Sequence, residues 1–258
     1  MTKPRQSKRP IVGFVTDFGL ADGYVSELYA VVLAHCPEAR LVDISHQIPP
    51  GDIRSGAFVL WRAASRFQAG TVFVAVVDPG VGSGRQAVIV RSHGKYFIGP
   101  DNGLLARVVD WRGKYEVRLL KSSGANISPT FHGRDLFAPA AGRLAAGEPF
   151  AEMGRQGKFR DTIPSAEPSQ RAKNMEGEVI YIDSFGNIVT NLPAGLVGTL
   201  SLPGMRQIKQ ISCYEAGEPE TPGWLVGSAD LVEIAVKGGS AAQLLNAGIG
   251  DPVVMRLN

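Results

Sequence analysis

Three short stretches of the 258-residue chain hold the side chains best suited to chemistry. In VVDPGVGSGRQ an apolar, strand-like run stops at Asp78, passes Pro79 and the glycines Gly80, Gly82 and Gly84, and reaches Arg85. A flexible loop with few side chains can bring that guanidinium back toward the carboxylate. TDFG places Asp17 after IVGFVT in the same way, and each aspartate has a glycine two residues on, where backbone can approach a ligand. In FHGRDLFAPAAGRL, His132 stands just before a helix-like segment that Asp135 could cap and whose Leu136, Ala140 and Leu144 would face inward. If Asp78, Arg85 and His132 meet, they can position a water, with arginine stabilising hydroxide-like charge and histidine helping to accept a proton.

Each of these residues also has a purely structural reading. Asp17 and Asp78 can begin turns or cap helices, PGVGSGR can be a surface turn, and a lone histidine can be a satisfied structural residue. A phosphate-binding loop is excluded, because the lysine followed by serine or threonine is missing and the glycine spacing does not fit a dinucleotide site. Farther on, IDSFGNIVTNL gathers Asp183, Phe185, Asn187 and Asn191 around a turn glycine. An asparagine amide both donates and accepts, as recognition of a neutral polar ligand requires, and the same residues also suit an Asx-rich β-turn. GSADLVEIAV sets Ser228 and Glu233 in or beside an apolar strand, where an isolated glutamate is expected to be solvated.

The elements that must position these groups follow from periodicity. From Ile11 to about Leu144, the β-branched runs IVGFV, RLVDI, TVFVAVV, AVIVRS and KYFIG alternate with helix-like segments, which predicts an α/β domain over 10–153 with a largely parallel sheet. Ligands of such sheets collect at the carboxyl ends of strands, where Asp17 and Asp78 fall. The helix from Tyr24 to Ala34 should face inward through Val25, Leu28, Tyr29, Val32 and Leu33, and Asp52 should cap the helix from Ile53 to Ser65. Residues 154–176 are polar and aperiodic, with Pro164 and Pro168, and read as a connector. The short strand candidates EVIYID, NIVTNL, TLSL, QIKQISCY, WLVGS, LVEIAV and VVMRLN predict a smaller, all-β, barrel-like domain over 177–258.

Composition narrows the function classes. With 44% hydrophobic and 20% charged residues, the chain reads as an ordinary soluble globular protein. The net charge of +3 is owed to Lys3, Arg5, Lys8 and Arg9 in a basic arm expected to be solvated and mobile; the remainder is close to neutral, so no nucleic-acid surface is implied. No segment approaches the roughly 20 apolar residues of a membrane span, and IVGFV is too short for a secretory signal, so a cytoplasmic protein is expected. Cys36 and Cys213 lie far apart and are expected to be buried free thiols, with neither a disulfide nor a zinc site.

In chain order, TDFG, DISHQIPPGDI, GTVFVAVVDPGVGSGR, GPDNGLL, FHGRDLFAPAA, DSFGNIVTN and LVEIAV together resemble the S-adenosyl-L-methionine (SAM) hydrolases, or SAM hydroxide adenosyltransferases, relatives of the SAM-dependent fluorinases and chlorinases. The resemblance spans almost the whole chain. It implies an α/β domain and a β-barrel-like domain in a homotrimer that binds SAM between neighbouring subunits. It maps a catalytic set onto Asp78, Arg85 and His132, ribose contacts onto Asp17 and Asp78, and adenine contacts onto Asn187 and the backbone of Val236. Asp183 and Ser228 fall at the methionine end, with Tyr214 and Glu233 as further substrate contacts. The activity implied is attack of water or hydroxide at ribose C5′, giving adenosine and L-methionine, with SAM as substrate and neither cofactor nor metal. The rival readings are a halogenase, a branch in which the resemblance implies loss of the Asp-Arg-His set, and a SAM or adenosine sensor that keeps the pocket without activating a nucleophile.

Overall fold

The computed structural model describes residues 9–109, 114–120, 127–159 and 167–258. Lys3, Arg5 and Lys8 of the basic arm and the middle of the expected connector, including Pro164, lie outside the described residues. The chain divides into two compact units, the first running to 163 and the second from 164.

The first unit is built on a mixed sheet of strands β1 (Ile11–Thr16), β2 (Arg40–Ser45), β3 (Val72–Val76), β4 (Ala87–Ser92), β5 (Lys95–Pro100), β6 (Glu116–Leu119) and β7 (Arg155–Gln156), in the order β2-β1-β3-β5-β4-β6-β7. Strands β2, β1, β3 and β5 run parallel, and β4, β6 and β7 extend the sheet with antiparallel pairings. The parallel part is therefore four strands wide and carries the aspartates. The β4–β5 hairpin turns through His93 and Gly94, both at positive φ, as a tight two-residue turn requires.

Alternation along the strands sends side chains to two cores. Val12, Phe14, Val74 and Val76 pack with Leu28 and Val32 of helix α1 (Tyr24–His35) and with Ala138, Ala141 and Leu144 of α3 (Ala138–Ala145). Val15, Phe73, Ala75, Val77 and Phe97 pack on the other face with Ala57, Leu60 and Ala64 of α2 (Ile53–Ala64). Asp52 caps α2 as expected, accepting from the Ser55 N–H at 3.0 Å. Leu33 departs from the expected apolar face and is exposed, because it falls at the edge of the stripe formed by Val25, Leu28 and Val32. Ahead of α3, Gly133–Phe137 forms one π-helical turn; its extra residue per turn buries Phe137 fully and leaves Leu136 half-buried. Asp135 does not cap this helix: its carboxylate accepts from the Ser128 N–H and pairs with Arg134.

The second unit is a closed barrel of seven strands: β9 (Asn174–Ile182), β10 (Ile188–Pro193), β11 (Gly198–Leu202), β12 (Met205–Gln210), β13 (Pro222–Val226), β14 (Leu231–Val236) and β15 (Pro252–Leu257). It closes through the β9–β10 pairing, and β8 (Ser169–Arg171) adds to the outer side of β9. Trp224, Val179, Ile188, Leu200, Ile208, Ile234 and Met255 fill its interior. Helix α4 (Ala241–Leu245), capped by Ser240, follows β14. Two differences from the sequence reading sit in one segment. QIKQISCY stops being strand at Gln210, and Tyr214–Ala216 makes a 3-10 turn that leaves Cys213 exposed rather than buried; Cys36 is buried, and both thiols are free. Among the described residues, no helix is long and apolar enough to cross a membrane.

Candidate functional site

Strands β1 and β3 are paired in parallel with Thr16 beside Val76, so Asp17 and Asp78 leave the sheet at the same end, one residue past β1 and two past β3. Asp17 accepts the Gly51 N–H through Oδ2 at 2.8 Å, which ties the β1 loop to the loop before α2. Asp78 takes Arg85 in a two-point pair: Nε donates to Oδ1 at 2.9 Å, and Nη2 donates to Oδ2. Both partners are buried, with side chains 4% and 10% exposed for aspartate and arginine.

The glycine loop makes this pair possible by doubling back on itself. The Val81 N–H reaches the Asp78 carbonyl at 3.1 Å, and the Ser83 N–H reaches that of Gly80 at 3.0 Å. Gly82 sits at φ +78°, and a side chain there would run into the Pro129 carbonyl, so the loop packs directly on the segment leading to His132. Arg85 Nη2 then donates to His132 Nδ1 at 2.9 Å, while the guanidinium lies over the Phe137 ring. Burial first, and the Arg85 charge second, hold His132 below its ordinary pKa of 6.5, with Asp78 and Asp135 acting in the opposite direction. The imidazole is neutral at pH 7. Because arginine can only donate, the neutral ring facing it keeps Nδ1 unprotonated and carries its proton on Nε2.

Asp17, Asp78 and His132 line one cavity of about 660 Å³, together with Pro50, Phe131 and Tyr24. That volume accommodates a nucleoside-sized ligand. Phe18, Tyr24 and Phe131 meet edge to face in it, with ring centroids 5.3 to 6.0 Å apart, and Arg134 lies over Phe131. Sequence reasoning missed this aromatic wall. Phe18 and Phe131 are immediate neighbours of Asp17 and His132, and that adjacency was the available signal.

In the barrel, Asp183 and Asn187 share one turn. Asp183 Oδ1 accepts the N–H groups of Phe185 and Asn187, both at 2.9 Å, and Oδ2 accepts from Asn187 Nδ2 at 3.0 Å. Gly186, at φ +81°, packs so closely on Ser240 that a side chain would overlap its hydroxyl, and Phe185 projects outward, 78% exposed. Glu233 is not solvated as expected. It is 7% exposed and accepts the Tyr214 hydroxyl at 2.6 Å, its carboxylate resting against Gly227. The pairing of Ile188 with Ile234 places Asn187 near Val236 at one end of β14, whereas Ser228 lies in the turn at the other end. The barrel thus groups Asp183, Asn187 and Val236 apart from Ser228. Among the described residues, no three His, Cys, Asp or Glu side chains converge as a metal site.

A half-parallel α/β sheet with an aspartate-arginine-histidine chain at its carboxyl edge, followed by a closed seven-stranded barrel, defines a two-domain protein with a nucleoside-sized pocket. The chain belongs to the SAM hydroxide adenosyltransferase family: residues 12–154 match its N-terminal domain and residues 177–254 its C-terminal domain. It is 39% identical to a Salinispora tropica protein named (R)-S-adenosyl-L-methionine hydrolase, over 94% of this chain and 96% of that one. A Thermus thermophilus protein of the same name is 37% identical, over 95% and 98% of the two chains. A fluorinase from Actinoplanes is 30% identical, over 71% and 72%. Among solved structures, a conserved protein from Thermotoga maritima superposes with a TM-score of 0.87 at 32% identity, covering 95% of this chain and 99% of its own.

Proposed function

We propose that this protein hydrolyses SAM to adenosine and L-methionine, with Asp78, Arg85 and His132 acting on the attacking water and Asp17 and Asp78 holding the ribose. The observation that carries the reading is the hydrogen-bonded chain from Asp78 through Arg85 to His132, whose two ends, Asp78 and His132, line the 660 Å³ cavity. Family membership and the hydrolase relatives support it.

In the reaction, a water oxygen forms a bond to C5′ as the C5′–S bond breaks and its electron pair returns to sulfur, turning the sulfonium into the neutral thioether of methionine. The leaving group needs no proton, so the protein must align the water and take up the proton that it loses. Arg85 Nη2, shared between Asp78 and His132, turns from His132 to the water oxygen. His132 Nδ1, thus freed, takes the water proton as the O–C5′ bond forms, and the guanidinium holds the hydroxide-like charge which that proton transfer creates. Asp78 keeps the guanidinium in place throughout. SAM is the substrate, and the scheme requires neither metal nor cofactor.

Asn187 and the Val236 backbone as adenine contacts, Asp183 and, from the opposite end of β14, Ser228 as contacts to the methionine end, and Tyr214 and Glu233 as further contacts complete the proposal. They act in a cytoplasmic homotrimer with sites between subunits. The hydrolase relatives are named for the (R) sulfonium, so (R)-SAM is the first substrate to offer. The test is chromatography of SAM incubated with the purified protein, with and without chelator and with fluoride or chloride present. Adenosine formed at a rate indifferent to chelator supports the proposal. A 5′-halogenated nucleoside, or SAM bound but unchanged, overturns it.

A further inference from the structure

One buried histidine outside the cavity bonds to the loop that carries Asp17 and begins the segment that returns to it at Gly51. His46 follows β2 just past an irregularity in register, where Phe14 pairs with Asp43 but Val15 already pairs with Ser45. Such a bulge re-aims the side chains that follow it. His46 is buried and uses each of its polar ends. Its Nδ1 meets the buried Thr16 hydroxyl at 2.7 Å, its Nε2 meets Asp43 at 3.1 Å and the Tyr29 hydroxyl at 3.2 Å, and its carbonyl accepts the Gly19 N–H at 2.8 Å. Tyr29 also donates to Asp43.

The donors and acceptors form one directed chain. Ionised Asp43 can only accept, so Nε2 carries the proton and Nδ1 accepts from Thr16. The Thr16 oxygen, its own hydrogen committed to His46, accepts the Phe18 N–H at 3.3 Å. The turn Thr16–Gly19 that presents Asp17 is therefore fastened to His46 on both sides of the aspartate. The segment leaving His46 returns at Gly51, whose N–H is the donor to Asp17 Oδ2.

We infer that His46 is a positioning residue for Asp17: through Thr16, Gly19 and the 46–51 loop it fixes the direction in which that carboxylate enters the cavity. This rests on the reading that Asp17 holds the nucleoside. The role is indirect, since His46 is not among the residues lining the cavity.

The test is a double-mutant cycle read by KM and kcat for SAM hydrolysis. His46→Leu is expected to raise KM roughly tenfold with kcat changed far less, as loss of one oriented hydrogen-bonding group predicts. Thr16→Val, close in size and lacking the hydroxyl, should move KM in the same direction, and Thr16→Ser should restore most of the loss. In an Asp17→Ala background, His46→Leu should add little, because the carboxylate it positions is gone. KM effects that simply add in the double variant, or an unchanged KM in folded Thr16→Val, would overturn the inference. An unchanged KM in Asp17→Ala would instead remove the nucleoside-holding role on which it stands.

Discussion

The α/β unit and the barrel each hold a carboxylate that accepts several hydrogen bonds, and the donors differ in kind. Asp78 is bound by a guanidinium whose Nη2 also donates to His132, so the chain of contacts leads into the cavity. Asp183 is bound by two backbone N–H groups and a neutral amide, all within its own five-residue turn, where the bonds end. A charged chain that can re-aim one donor suits a step in which charge develops on an oxygen. A closed neutral turn suits shape: it fixes where Asn187 and Phe185 point. The contrast predicts that damage to the first region falls on turnover and damage to the second on binding.

Removing Arg85 should give the largest effect. Arg85→Ala is expected to lower kcat by about 100-fold or more and to destabilise the fold by about 3 kcal/mol, because Asp78 stays buried without its counter-charge. Adenosine formation and thermal unfolding measure the two losses. Arg85→Lys should recover only part of the rate, since an ammonium cannot reproduce the two-point pair and still reach His132. His132→Gln comes next, with kcat down about 100-fold and near-normal folding by circular dichroism. Normal kcat in both the Arg85→Ala and His132→Gln variants would break the comparison on the catalytic side.

The pH profile sharpens it. His132 must be neutral to accept a proton, and in the free protein its pKa is held below 6.5, so kcat/KM should be level through neutrality and fall only as the pH drops below that value. The sign for stability is the same: the unfolded state binds the proton more readily, so the contribution of this group is complete above 6.5 and is lost as pH falls through the lowered pKa. An acid limb that begins well above 6.5 would assign the proton to another group.

The smallest effect belongs to the barrel. Asn187→Ala should weaken SAM binding by about 1 kcal/mol, close to fivefold in affinity, with kcat little altered. Isothermal calorimetry on an unreactive SAM analogue measures it, and unchanged affinity would leave the turn without a part in recognition.

How far the sequence disclosed this contrast depends on how local each feature is. Asp78 and Arg85 were legible as partners because they stand seven residues apart across a short glycine loop, and Asp17 and Asp78 as candidates because each closes a strand that its own neighbours reveal. Asp52 was legible for the same reason: a cap bonds three residues away. His46 was not, since its partner Thr16 lies 30 residues distant and only the pairing of β1 with β2 joins them. Glu233 was misread as solvated because its partner, Tyr214, arrives from a 3-10 turn where strand had been expected. The π-turn before α3 leaves no periodic trace in five residues, and the short edge strands took their form from their neighbours, β6 from β4 and β7 from β6.

The most direct test of the account is to run the reaction in water enriched in heavy oxygen and weigh the products by mass spectrometry. Attack of water on C5′ predicts adenosine carrying one heavy oxygen and methionine carrying none, with both products lost together in the Arg85→Ala variant. Unlabelled adenosine, or labelled adenosine formed at the full rate by Arg85→Ala, would contradict it.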